Sequence, residues 1–131
     1  MIQRIQSIYL FITALSMALI SFKISIYQIG IKEYFAQEDS IFFVLTIVIM
    51  ILSLFALALF KSRSLQMKFI RIAIVLSIVL SIRLILLYFQ LEAQLSISCL
   101  IFVFFSILSL IMALRGVLKD EKLVRSADRI R

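Results

Sequence analysis

Charged residues divide this chain into long apolar stretches. Three runs carry no charge at all: Ile5–Phe22, Ser40–Phe60 and Ala93–Leu114, of 18, 21 and 22 residues. A helix rises about 1.5 Å per residue, so roughly 20 such residues cross a hydrocarbon core about 30 Å thick. Each run therefore predicts a transmembrane helix. A fourth run of 20 residues, Ile72–Leu91, is interrupted only by Arg83. Omitting it would leave an odd number of spans and put the two most basic segments on opposite sides of the membrane. With it, the chain reads as one all-α domain, 1–131, folded as a four-transmembrane-helix bundle. The spans lie near 5–22, 40–60, 72–91 and 93–114, with a tail at 115–131.

Composition agrees with that pattern. Hydrophobic residues fill 64% of 131 positions and the mean hydropathy is +1.18, where soluble domains hold about 45–50% apolar residues. There is no proline and only Gly30 and Gly116 as glycines, which suits long helices on short connections. Within Ile5–Phe22, Ser16-Met17-Ala18 has the small-x-small spacing of a secretory cleavage site. It falls inside the run rather than after it, so this segment is expected to remain as the first span.

The charge of +7 is unevenly placed. Arg4, the segment Lys61–Arg71 and the tail from Arg115 hold 11 of the 14 basic residues; the opposite loops hold only Lys23 and Lys32. Lysine and arginine are retained on the cytoplasmic side. The distribution thus predicts both termini inside and a multi-pass protein of the bacterial inner membrane.

The loop Lys23–Asp39 alternates isoleucines with polar residues and carries Tyr27, Tyr34 and Phe35. Alternation favours an extended or hairpin-like piece, and aromatics suit the headgroup level. A short cap on the outer surface is expected.

Arg83 is the leading candidate for function. It lies 12 residues from Arg71, about 18 Å along a helix, and a charge at such depth costs at least about 2.5–3.5 kcal/mol to insert. One reading has it bind an anionic substrate or a partner's carboxylate. The plainer one has it snorkel outward on its long stem to Glu38, Asp39 or a lipid phosphate. No acidic residue lies inside an apolar run, so neutralisation must come from the outer loops, lipid or another subunit.

Ala73, Ser77 and Ser81 form a small-residue stripe on span three, where helix backbones can approach closely. Within the other spans, Thr13, Ser16, Thr46, Ser53, Ser106 and Ser109 either line a pathway or bond back to their own helix. Ile51-Leu52-Ser53-Leu54 recurs as Ile107-Leu108-Ser109-Leu110, which chance among residues drawn mainly from Ile, Leu and Ser explains better than a two-plus-two duplication. With no histidine and one cysteine, Cys99, inside an apolar run, there is no base to activate a thiol. No cofactor or metal is expected.

Lys61, Arg63, Lys68 and Arg71 make the middle loop a basic surface for lipid or a partner. In the tail, Leu123, Ala127 and Ile130 share one helical face, with Arg125 and Arg129 among the opposing charges. That predicts a short amphipathic C-terminal helix, lying on the anionic leaflet or docking on a partner. A plain continuation of span four is the alternative. Asp120, Glu121 and Asp128 interrupt the basic field, and no aromatic is present for base stacking, which argues against nucleic acid.

The two ends carry a resemblance. The opening Met1-Ile2-Gln3-Arg4-Ile5-Gln6-Ser7-Ile8-Tyr9-Leu10 and the closing Asp120-Glu121-Lys122-Leu123-Val124-Arg125-Ser126-Ala127-Asp128-Arg129-Ile130-Arg131 are similar to those of an uncharacterised Bacteroidota membrane family, domain of unknown function 4293. The resemblance covers the whole chain. It implies an inner-membrane address and a four-helix fold, and it supplies no catalytic residue or substrate to carry over.

The sequence favours a non-enzymatic accessory or assembly subunit of a larger inner-membrane complex, surrounded by lipid and other subunits. Its supports are the stripe, the unpaired Arg83 and the motif-like tail. The alternative is a small-molecule or lipid binder, possessing a transport-related role, that uses Arg83 within the bundle. A protein surface covering Arg83 would favour the first, and an open cavity beside it the second.

Overall fold

The apolar runs are helical in the computed structural model, which describes residues 2–59, 61–91 and 94–129. Helix α1 spans Ile2–Phe22, α2 Ser40–Ala58, α3 Arg63–Leu91 and α4 Ile97–Arg129. All four are long and apolar enough to cross a membrane. Successive helices run in opposite directions. Each packs on its sequence neighbours, and α1 closes the ring against α4. Both ends of the chain therefore lie at one end of the bundle.

The other end carries a cap. Strand β1 (Ser25–Ile29) pairs antiparallel with β2 (Lys32–Phe35) on one edge and with the short β3 (Gln94–Leu95) on the other. Gly30 sits at φ +63° in the two-residue turn, a conformation that hairpin turns demand and glycine supplies without steric cost. Tyr27 stacks on Tyr34 at 4.9 Å, and the Lys32 ammonium lies over the Tyr34 ring. The sheet is tied to the bundle by Ile26 and Tyr27, which join the core with Leu84, Leu87 and Cys99. The expected hairpin-like cap is present.

Two apolar clusters fill the bundle. The one under the cap includes Met17, Ile20, Phe42, Ile49, Leu80 and Val103. The one near the chain ends includes Leu10, Ala56, Met67, Ile70, Leu110 and Val117. On every helix, the buried positions between the clusters are small. They are Thr13, Ala14 and Ser16 on α1, Ser53 on α2, Ser77 on α3, and Ser106 and Ser109 on α4. Lipid offers no hydrophobic drive for helices to associate, so close approach and dispersion must supply it. A waist of small side chains permits that approach.

Two boundaries differ from expectation. The basic segment Lys61–Arg71 is not a loop, for α3 begins at Arg63 and the connection narrows to a turn in which Ser62 N–H bonds Leu59 C=O. No glycine or proline stands there to delay helix formation. The tail is not a separate helix either: α4 continues without a break to Arg129. A lone glycine costs a helix only about 1 kcal/mol, so Gly116 does not end it. An i,i+4 pair, Arg125 to Glu121 at 2.7 Å, supports the continuation.

Candidate functional site

Asp39 begins the site because it begins a helix. It is the N-cap of α2, its Oδ1 accepting from the backbone N–H of Ile41 at 3.2 Å and Phe42 at 3.3 Å. These donors have no partner inside the helix and would otherwise be left unsatisfied. The second oxygen is turned to α3. Arg83 donates to Asp39 Oδ2 through Nε at 3.1 Å and Nη2 at 2.9 Å.

The pair is half in the protein and half out of it. The Asp39 side chain is 8% exposed and that of Arg83 24%. An open cleft of about 370 Å³ lies against it. Tyr27, Glu38, Asp39 and Ser40 form one wall, Arg83, Leu87 and Gln90 another, and Ile41 and Leu91 add apolar surface. Burial of Tyr27, with Asp39 close by, pushes its phenol above the usual value, so the ring stays neutral at physiological pH.

Arg83 is thus not unpaired, and it stands toward the cap end of the bundle. The expectation of depth came from taking the third span as 72–91. In the structure α3 has 29 residues, about 43 Å of helix, longer than the core needs. The ion pair fixes its register, setting Arg83 level with the first turn of α2. The eight residues beyond Arg83 rise past that level, and they include the exposed aromatics Tyr88 and Phe89. Such rings belong at a membrane–water interface. Of the neutralising sources the sequence left open, the loop before α2 provides the one observed.

A second polar contact closes the opposite end. Gln6 Nε2 donates to Asp120 Oδ2 at 2.7 Å, with both residues buried. Gly116, one turn before Asp120, is what lets α1 come so near. A Cβ there would stand 2.7 Å from Gln6 Cγ. Asp39 to Thr46 on α2 and Ser21 to Gln6 on α1, linked by the Ser21–Thr46 bond at 2.8 Å, make 22 residues, about 33 Å of rise. The two contacts are therefore about one hydrocarbon thickness apart.

The remaining candidates separate into inside and outside. Ala73 and Ser77 are fully buried within the bundle, so the stripe serves this chain's own packing and meets neither lipid nor a partner at those positions. Ser77 donates to Ala73 C=O, and Ser81, partly exposed, to Ser77 C=O. Ser81 borders an apolar groove of about 200 Å³ between α3 and α4. Lys61, Lys68 and Arg71 are exposed and Arg63 half-buried; Leu123 and Arg125 are exposed. Ile130 lies outside the described residues, as do the side chains of Ala127 and Arg129.

The membrane hydroxyls bond back to their own helices. Thr13, Ser16, Thr46, Ser53, Ser106 and Ser109 each donate to a carbonyl three or four residues earlier. The Thr13 and Ser109 hydroxyls also meet across α1 and α4 at 2.6 Å, and whichever donates there gives up its bond to its own helix. Among the described residues, no buried side-chain nitrogen or oxygen lacks a partner, and no three metal-binding side chains converge.

The family model described as domain of unknown function DUF4293 matches residues 2–130. The chain belongs to the DUF4293 family. No curated protein matches it, and no solved structure does. In this DUF4293 chain the two terminal motifs meet through Gln6 and Asp120. Neither residue stood out in the sequence. Gln6 sits inside the first apolar run as an uncharged residue, and Asp120 reads as one charge among many in the tail. The pairing of Asp39 with Arg83 was nearer to hand, since Asp39 was one of three partners named for a snorkelling side chain.

Proposed function

We propose that this chain is a non-enzymatic multi-pass protein of the bacterial cytoplasmic membrane that binds a phospholipid headgroup in the Arg83 cleft. The cap faces outward and both termini lie inside. The open cleft carries the reading, because a partner docked on Arg83 would instead need a closely fitting surface there. At about 370 Å³ it falls in the roughly 300–1,000 Å³ range of small-ligand sites. Its polar wall stands at the level where α2 begins; Ile41 lies on its bundle side, and Leu87 and Leu91 lie on its cap side. Two supports of the subunit reading have changed: Ala73 and Ser77 are buried within this bundle, and Arg83 is paired with Asp39.

Orientation rests on the placement of 11 of 14 basic residues at the terminal end. Cysteines placed at Gln37 and Ser64, in a Cys99→Ser background, test it in intact spheroplasts. An impermeant thiol reagent should label the first and spare the second; the reverse would refute the orientation.

Native mass spectrometry of the detergent-purified protein tests the lipid site. One phospholipid should survive on the wild type and be lost from Arg83→Gln. Equal retention by both would exclude the cleft.

A specific observation favours a second reading. Helix α4 runs nine residues past Asp120 and exposes Leu123 and Val124 beside Arg125, an apolar edge suited to an inner-membrane partner subunit. Affinity recovery with Leu123→Glu against wild type tests it, and an unchanged set of co-purifying proteins would remove it.

A further inference from the structure

The cleft presents both signs of charge through one opening. A guanidinium has five N–H donors, and Asp39 takes two of them, on Nε and Nη2. The end-on edge, shared by Nη1 and Nη2, is not engaged by Asp39, and Arg83 lines the cleft. That edge matches two oxygens of a phosphate, the geometry arginine recognises best. Asp39 has no such spare capacity, since its oxygens hold the α2 cap and Arg83. Glu38 differs: it is exposed, lines the same cleft, and makes no ion pair among the described residues.

An anionic headgroup would satisfy Arg83 but would face Glu38 and Asp39 together. Like charges brought together at a binding surface are strongly disfavoured. A headgroup with a phosphate and a primary ammonium avoids this. Its phosphate meets the open edge of Arg83, while its ammonium donates to Glu38 and to the side-chain carbonyl of Gln90. A quaternary amine has no N–H to give and would lose those bonds. Ile41, on the bundle side of Arg83, offers apolar contact to the glycerol, while Leu87 and Leu91 flank the headgroup on the cap side.

Building on the lipid-binding reading above, we infer that the cleft selects an aminophospholipid, with Glu38 as the residue that distinguishes it from an anionic lipid. This makes Glu38 a specificity residue, and its exposure makes Glu38→Gln safe for folding.

The test offers the full-length protein an equimolar mixture of phosphatidylethanolamine, phosphatidylcholine and phosphatidylglycerol in mild detergent and reads the bound lipid by native mass spectrometry. The wild type should prefer phosphatidylethanolamine over each of the others. Glu38→Gln should cut the preference over phosphatidylglycerol by about threefold to fivefold, the worth of one exposed ion pair. Glycerophosphoethanolamine, the soluble headgroup, should not displace the lipid at millimolar concentration. Equal binding of all three lipids, with loss in Arg83→Gln, would overturn the selectivity and leave the lipid site standing. Absence of any bound lipid would overturn both. Displacement by glycerophosphoethanolamine would make the ligand a soluble phosphoamine and overturn the lipid assignment.

Discussion

At the cap end, Asp39 and Arg83 meet beside an open cleft that Arg83 lines. At the terminal end, Gln6 and Asp120 meet where even a methyl group on Gly116 would collide. Both contacts join helices that must stay together, and they stand at opposite ends of the bundle. Their surroundings divide their roles. The closed contact is built for packing, since nothing but the protein can reach it. The open one holds the bundle with part of its charge and offers the rest outward. A polar contact at a helix end is thus weak evidence of function by itself, and the accessible space beside it makes the difference.

The closed end should be the less forgiving. In Gly116→Val the new side chain must displace Gln6, so overpacking adds to the loss of a hydrogen bond to a buried carboxylate. Each is worth about 1–3 kcal/mol, and a combined loss near 3 kcal/mol should appear in chemical or thermal unfolding in detergent. Wild-type stability for this variant would mean that α1 and α4 do not approach closely at Gly116.

A middle-sized effect is expected in the waist. Ser77→Leu places a branched side chain at a fully buried position, and overpacking of this kind costs about 1–3 kcal/mol. The loss should be seen in the isolated protein, without any partner. A defect confined to complex recovery would contradict the internal position of Ser77.

The open end should yield least. Arg83→Lys loses the two-point contact but keeps a charge beside Asp39, so the partly buried pair should weaken by only about 1 kcal/mol. Lipid retention should fall much more than stability. A drop in stability as large as that of Gly116→Val would erase the distinction between the two ends.

The sequence carried the four helices because span length and charge exclusion are properties of the bilayer, readable one segment at a time. It carried the capping hairpin through the alternation around Tyr27 and Gly30. Helix register was not readable. Treating residues 72–91 as the third span put Arg83 deep in lipid, whereas the bond to Asp39 slides α3 toward the cap. Nor could the sequence say that Ala73 and Ser77 face inward, because a small-residue stripe looks the same on either side of a helix. The Gln6–Asp120 contact joins residues 114 positions apart, and only the ring closure of α1 on α4 brings them together.

The most direct measurement is the position of lipid crosslinks on the assembled protein. Phosphatidylethanolamine bearing a photoactivatable group near its glycerol would be reconstituted with the wild-type chain, and the labelled peptides mapped. Adducts should concentrate on residues 38–41 and 83–87, the parts of the two cleft walls beside Arg83, and should fall away in Arg83→Gln. An even distribution around the bundle, or labelling centred on the closed end near Gln6 and Asp120, would contradict the account.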